Sequence, residues 1–215
     1  MNCAVILARG GSKGCQNKNK RPLNGVPLVV RAVRTAKASG VFSQVIVATD
    51  DQDIQNLCIT EKISVVDRQP VSDSQTSEAG LMELWPVWSK YEYMALIQCT
   101  SPFMFPSDIS NSYRKMIANF ADSACVVSPF HGVIWRAEPT GARLPRQERP
   151  KEWREAGSVY WMRVKAFEMQ RSRFCGKTVM QAIPELRSME IDTEIDFQVA
   201  EHMMKMEGLD NGLYW

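Results

Sequence analysis

Three glycines and four cations crowd residues 9–20. The run Leu7-Ala8-Arg9-Gly10-Gly11-Ser12-Lys13-Gly14-Cys15-Gln16-Asn17-Lys18-Asn19-Lys20 directly follows an apolar segment. Glycines let backbone N–H groups approach and wrap an anion, and nearby cations neutralise it. That chemistry suits a triphosphate. The plain alternative is a strand-to-helix turn with a solvated basic edge. Two familiar phosphate loops do not fit. A P-loop reads GxxxxGK[ST], yet Cys15 follows Gly14, and Gly176-Lys177-Thr178 has Arg171 where the leading glycine belongs. A dinucleotide fingerprint reads GxGxxG, but Ser12 follows Gly10-Gly11.

A second cluster lies near the other end of the chain. Glu190-Ile191-Asp192 is followed by Glu194 and Asp196. In extended backbone, residues i and i+2 point the same way. Glu190 and Asp192 therefore offer two hard oxygen donors to one cation, and Mg²⁺ takes one or two carboxylates, completing its octahedron with water and phosphate oxygens. The alternative is a solvated acidic turn with Asp196 as the N-cap of a final helix. A third segment, Gln98-Cys99-Thr100-Ser101-Pro102-Phe103, carries polar side chains just past an apolar run and is placed to meet substrate hydroxyls, or else to close a turn. A fourth stretch holds Arg136, Arg143, Arg146, Arg149, Lys151 and Arg154, a basic arm able to close over an anionic substrate, or a solvated loop.

The elements that must position these groups alternate in type. Ala4–Ala8, Gln44–Thr49, Ser64–Val66, Met94–Gln98, Ser123–Val127, Ser158–Met162 and Thr178–Ala182 read as strands. Leu28–Ser39 has Leu28, Val29, Ala32, Val33 and Ala36 at helical spacing, and Gly40 stops it. Asp51–Ile59, Asp108–Phe120 and Phe197–Met206 read as further helices. Ser77–Ser89 reads as one that Pro86 ends or kinks. Residues 129–156, punctuated by Gly132, Pro139, Gly141, Pro145 and Pro150, read as an excursion out of the main layer. Alternating strands and helices predict an α/β fold with a mostly parallel sheet covered on both faces and right-handed crossovers. Ligands in such sheets gather at the carboxyl ends of the strands.

Composition narrows the classes. The chain has 215 residues, 45% hydrophobic, with six Trp, five Tyr and eight Phe, enough for one large domain with a sizeable core. With 26 basic and 24 acidic side chains, the net charge of +2 gives no reason to expect a nucleic-acid or membrane partner. No window approaches 18 consecutive apolar residues, and the N-terminal run lacks the basic start of a signal peptide. Six scattered cysteines form no CxxC pair, and with only two histidines they suggest neither a zinc site nor a disulfide framework. The expectation is a soluble, reduced, cytoplasmic protein.

Together these motifs resemble the acylneuraminate cytidylyltransferases, also called CMP-sialic acid synthetases. The opening Leu7–Gly14, then Lys18-Asn19 and Leu23-Asn24-Gly25-Val26-Pro27-Leu28, is similar to that family's first motif. Ala48-Thr49-Asp50 resembles its STD segment, Arg68 and Asp73-Ser74-Gln75-Thr76-Ser77 its serine-rich stretch, and Gln98–Pro102 its QPTSP. Arg146-Gln147, Arg154–Tyr160 and Ile191–Asp196 with Ala200-Glu201 resemble the later motifs. The chain departs from the family by reading Glu190-Ile191-Asp192 for DxD, Cys99 for a proline, and a short excursion.

The resemblance implies a single domain over 1–215: a three-layer, mostly parallel Rossmann-like sheet of the nucleotide-diphospho-sugar transferase type, its 129–156 excursion serving dimer and sugar contacts. It implies that the anomeric hydroxyl of a nine-carbon 2-keto sugar acid, an N-acylneuraminate or a relative, attacks the α-phosphate of CTP to give the CMP-sugar and pyrophosphate. Pseudaminic, legionaminic or another sugar acid is an alternative substrate, and a non-catalytic nucleotide-binding module is an alternative of another class. Arg9 and Lys18 are implied as catalytic. Leu7, Ala8, Arg9, Gly10, Ser12, Asn19, Arg68 and Ser77 would hold the nucleotide. Gln98, Thr100, Ser101, Arg146, Gln147, Arg154 and Tyr160 would meet the sugar, and Glu190 and Asp192 would hold Mg²⁺ or Mn²⁺. The implied partners are CTP, a sugar acid and a second copy in a homodimer.

Overall fold

A computed structural model describes residues 1–70, 75–132 and 145–206, except for the Arg146 side chain. The chain opens with β1 (Asn2–Leu7), the glycine loop, and a small hairpin of β2 (Pro22–Leu23) and β3 (Val26–Pro27). Then follow α1 (Leu28–Ala38), β4 (Gln44–Thr49), α2 (Gln52–Thr60), β5 (Ser64–Asp67), α3 (Ser77–Glu83), α4 (Trp85–Trp88), β6 (Tyr93–Ile97) and α5 (Pro106–Ala118). The last elements are β7 (Ser123–Phe130), β8 (Glu152–Arg163), α6 (Val164–Gln170), β9 (Thr178–Ala182) and α7 (Glu194–Met203).

Seven strands form one sheet in the order β5-β4-β1-β6-β8-β7-β9. Every neighbouring pair is parallel except that β8 runs antiparallel to both β6 and β7. The expected mostly parallel, two-faced α/β sheet is therefore present. The interior strand β1 explains why. Alternate β1 residues feed opposite cores: Ala4 and Ile6 join Leu28, Val33, Ile109 and Phe197, while Cys3 and Val5 join Leu81, Trp88 and Phe167. A strand covered on both faces needs apolar residues at every position, which is how residues 3–7 read.

The helices follow their local chemistry. Gly40 stands at φ 69° just past α1, a conformation that costs glycine little. The expected 77–89 helix divides at Leu84, and Pro86 falls in the first turn of α4, where a missing N–H breaks no helical bond. The buried Trp88 Nε1–H donates to Leu81 O (2.9 Å) and joins the two pieces. Thr193, not Asp196, caps α7. Asp196 sits three residues in and returns the bond in a capping box.

Two expectations change at the hairpin. β7 runs on to Phe130 and β8 starts at Glu152, paired with it, so residues 129–130 and 152–156 belong to the sheet rather than outside it. Backbone pairing between two long antiparallel strands overrides the proline and charge signals at their ends. Residues 133–144, including Arg136 and Arg143, lie outside the described residues. α6 carries no sequence signal of its own. It follows β8 without a turn and ends at Arg171 in the left-handed region.

Candidate active site

A cleft of about 320 Å³ opens at the carboxyl ends of β1, β5 and β6, where parallel sheets bind ligands. Leu7, Arg9, Ser12, Lys18 and Asn19 line it from the glycine loop. Arg68, Gln75, Thr76 and Ser77 line it from the segment between β5 and α3, Gln98, Cys99 and Thr100 from the end of β6, and Glu190 and Asp192 from the approach to α7.

The glycine loop is braced from beneath. Asp50 Oδ1 accepts the Gly10 N–H (2.8 Å), and Asn19 Nδ2 donates to Arg9 O (3.0 Å). A Cβ on Gly10 would fall 2.5 Å from Asp51 Oδ2, so only glycine passes over that carboxylate. Lys20 Nζ holds Asp51 (2.9 Å) and Asp53 (2.7 Å), and Arg21 reaches Glu194 at the start of α7 (2.6 Å). The loop is thereby tied both to the β4–α2 turn and to α7.

The 190–192 segment is equally constrained. The Ile191 N–H donates to Thr100 O (2.8 Å), with the Ile191 side chain wholly buried. This turns Glu190 and Asp192 to the same cleft, as the i, i+2 spacing predicts. Asp196 Oδ2 accepts the N–H groups of Asp192 (3.1 Å) and Thr193 (2.7 Å). Lys18 joins loop to segment, donating from Nζ to Ile191 O (2.7 Å) and Asp192 Oδ1 (2.9 Å). Gly14 packs so closely on Asp192 O that a Cβ there would overlap it. Loop and carboxylates thus share one cleft despite lying some 170 residues apart in the chain.

Charge in the cleft is divided, with Arg9, Lys18 and Arg68 on one side and Glu190 and Asp192 on the other. Arg68 is only 3% exposed and pairs with Glu83 (3.3 Å). Its Nε and the Ser12 Oγ are buried with no hydrogen-bond partner among the described residues. The lining is mostly polar, which suits a polar ligand. Burial, then repulsion from Asp192 and Glu155, pushes the Glu190 carboxyl up from its ordinary value, so a cation beside it is favoured. The donors fit a small hard cation. Among the described residues no third His, Cys, Asp or Glu joins them, so a cation held there would need oxygens from outside the protein to complete its shell. Burial raises the Cys99 thiol to about 12, which leaves it a neutral wall rather than a nucleophile.

The expected residues do not all gather here. Ala8 is wholly buried, and its N–H pairs with Ala48 O (2.9 Å). Gly10 donates to Asp50 and acts as support. Ser101 is 5% exposed and turns inward, its Oγ donating to Gly157 O (3.2 Å). Tyr160 is 2% exposed, its hydroxyl donates to Glu155, and its ring lies under Arg173 (4.7 Å). Gln147 lines a separate groove of about 410 Å³ beside Phe130 and Trp153. Arg154 donates to Ser188 Oγ (2.9 Å) at the margin, close enough for its charge to favour ionised Glu190. The Arg146 side chain, Asp73 and Ser74 lie outside the described residues. Gln75 and Thr76 are additions. Thr76 caps α3 by accepting the Ala79 N–H (3.1 Å), and the Ser/Thr-x-x pattern before an apolar run was the available signal. Asp50 is another: its motif was visible in the sequence, but its role as a brace comes from its bond to Gly10.

Among the described residues no helix is long and apolar enough to cross a membrane. The sequence profile of the family described as Cytidylyltransferase matches residues 3–204. The chain is 31% identical over 213 residues to N-acylneuraminate cytidylyltransferase A of Danio rerio, covering 92% of this chain and 49% of that protein. It is 23% identical over 224 residues to a pseudaminic acid cytidylyltransferase of Campylobacter jejuni, covering 95% and 97%. It thus spans about half the length of the fish relatives it matches. A solved structure of CMP:2-keto-3-deoxy-manno-octonic acid synthetase complexed with CTP superposes with a TM-score of 0.69, at 16% identity over 94% of this chain and 98% of that one.

Proposed function

The chain belongs to the cytidylyltransferase family, and from that membership we propose that it couples CTP to the anomeric hydroxyl of a nine-carbon 2-keto sugar acid, giving a CMP-sugar and pyrophosphate. The observation that carries this reading is the meeting of loop and carboxylates, with Lys18 Nζ 2.9 Å from Asp192. A basic glycine loop facing two carboxylates fits a triphosphate and its divalent counter-ion.

In this reading the anomeric oxygen attacks the α-phosphorus, the bond from α-phosphorus to the bridging oxygen breaks, and pyrophosphate carries away the negative charge. The hydroxyl proton passes to water, because both carboxylates serve as ligands. The protein's work is positioning and charge stabilisation. Arg9 and the loop N–H groups hold the phosphates. Ser12, Asn19, Arg68 and Ser77 hold the rest of the nucleotide, with Gln75 and Thr76 beside them. Lys18 stands between phosphates and carboxylates and meets charge developing at the α-phosphate. Gln98 and Thr100 face the sugar, and Arg154 draws its carboxylate from the rim. Glu190 and Asp192 hold Mg²⁺ or Mn²⁺, which when bound neutralises the triphosphate and the leaving pyrophosphate.

The reading extends to a homodimer in the cytoplasm, with CTP and a sugar acid as its small-molecule partners and neither nucleic acid nor a membrane among them. Pyrophosphate release from CTP and Mg²⁺ across a panel of neuraminic, pseudaminic, legionaminic and octulosonic acids tests the activity. Release with one acid and none in its absence is expected. Bound CTP with no release for any acid would make the chain a nucleotide-binding module instead.

A further inference from the structure

β8 does not pair evenly with β7. The register passes from Cys125↔Tyr160 to Val127↔Glu155, so a two-residue step on β7 is matched by a five-residue step on β8. The extra residues bulge at 156–159. Within the bulge Gly157 has φ 55°, a left-handed conformation that other residues adopt only under strain. Three bonds pin the bulge to the end of β6: Ser101 Oγ donates to Ala156 O (3.4 Å) and Gly157 O (3.2 Å), and the Gln98 N–H donates to Ser158 O (3.0 Å).

The face of Gly157 that a side chain would occupy is filled by another residue. A Cβ there would overlap Oε1, Oε2 and Cδ of Glu190. We propose that Gly157 is a positioning residue: its bare Cα is the seat that admits the Glu190 carboxylate beside Asp192, so that the bulge sets where the first metal-binding oxygen stands. The inference rests on the metal site of the proposed function and adds a residue to it. Because the group in the way is the far end of a flexible side chain, the overlap is relieved by swinging that carboxylate aside. Folding then bears only the left-handed strain, and the overlap itself is felt at the metal. Aspartate at 190, one methylene shorter, draws the carboxylate back from the seat, so a Cβ at 157 matters less there.

A double-mutant cycle in the full chain tests this. The wild type, Gly157→Ala, Glu190→Asp and the double variant are titrated with Mn²⁺ in the presence of CTP, free Mn²⁺ being read by electron paramagnetic resonance. Thermal melts confirm folding. Gly157→Ala is expected to weaken Mn²⁺ binding by about 10- to 100-fold, the range for disturbing the support of a metal ligand, and by under about threefold in the E190D background. Left-handed strain is common to both backgrounds and cancels. If the alanine variant does not fold, Gly157→Asn, whose backbone tolerates this region, carries the test with the same Cβ. Equal weakening in both backgrounds, unchanged affinity in Gly157→Ala, or no Mn²⁺ held by the wild type with CTP would each overturn the proposal. A wild type that holds Mn²⁺ with CTP yet releases no pyrophosphate would sink the transferase reading and leave this one standing.

Discussion

Lys18→Met separates catalysis from folding at one atom. The substitution keeps an unbranched side chain as far as Cε and removes an ammonium that donates to Ile191 O at 2.7 Å and Asp192 Oδ1 at 2.9 Å. The Lys18 side chain is 15% exposed but that of Asp192 is 70% exposed, so water screens the ion pair. The pair itself then contributes well under about 1 kcal/mol to stability, and the bond to Ile191 O about 1 kcal/mol. For a chain of this size the melting temperature should fall by about 2–6 °C. If Lys18 meets charge that develops only in the transition state, turnover should fall by about 10²–10³-fold, roughly 3–4 kcal/mol. The two costs differ enough to be told apart. Pyrophosphate release is followed at saturating CTP, Mg²⁺ and sugar acid, well below the melting temperature. Turnover within about threefold of wild type, beside the expected small shift in melting, would refute the catalytic assignment of Lys18.

Three further perturbations probe the framework. Gly14→Ala sets a Cβ against the backbone oxygen of Asp192, where neither side can swing away; a shift near 1 Å should cost activity about 10²-fold, and an unchanged rate of pyrophosphate release would show that loop and segment need not touch. Asp196→Ala removes the acceptor for the Asp192 and Thr193 N–H groups; melts should show a loss of about 1–2 kcal/mol, together with weaker Mn²⁺ retention. Glu78 is held below its ordinary 4.5 first by its hydrogen bond to Arg173 (2.6 Å), against the opposing effect of burial. A lowered carboxylate stabilises the fold above its unfolded value and loses that contribution as pH falls through the folded one. Melts of wild type and Glu78→Gln should thus differ by about 1 kcal/mol near neutrality and converge in acid well below pH 4.5. A gap that widens on acidification would reverse the sign of this argument.

Much of the molecule was legible in residue order alone. Apolar runs marked β1, β4, β6 and β9, helical spacing and Gly40 marked α1, and Pro86 marked the break before α4. These signals are local: periodicity, caps and turn residues report a segment's own backbone and how many of its faces are buried. The glycine loop and the i, i+2 carboxylates were legible for the same reason, since their chemistry lies in spacing. Direction and partnership are not local. An alternating strand reads the same in either direction, so only the sheet shows β8 running against its neighbours. Ser101 and Tyr160 look like ligand contacts in a line of letters, but the pleat and the bulge of β8 turn both into bonds within the protein. Sequence also placed a glycine at 157 and a glutamate at 190 without relating them. The tertiary structure alone brings that Cα against that carboxylate, and Gly14 against Asp192, because close packing of distant segments decides which atoms must be missing for a site to form.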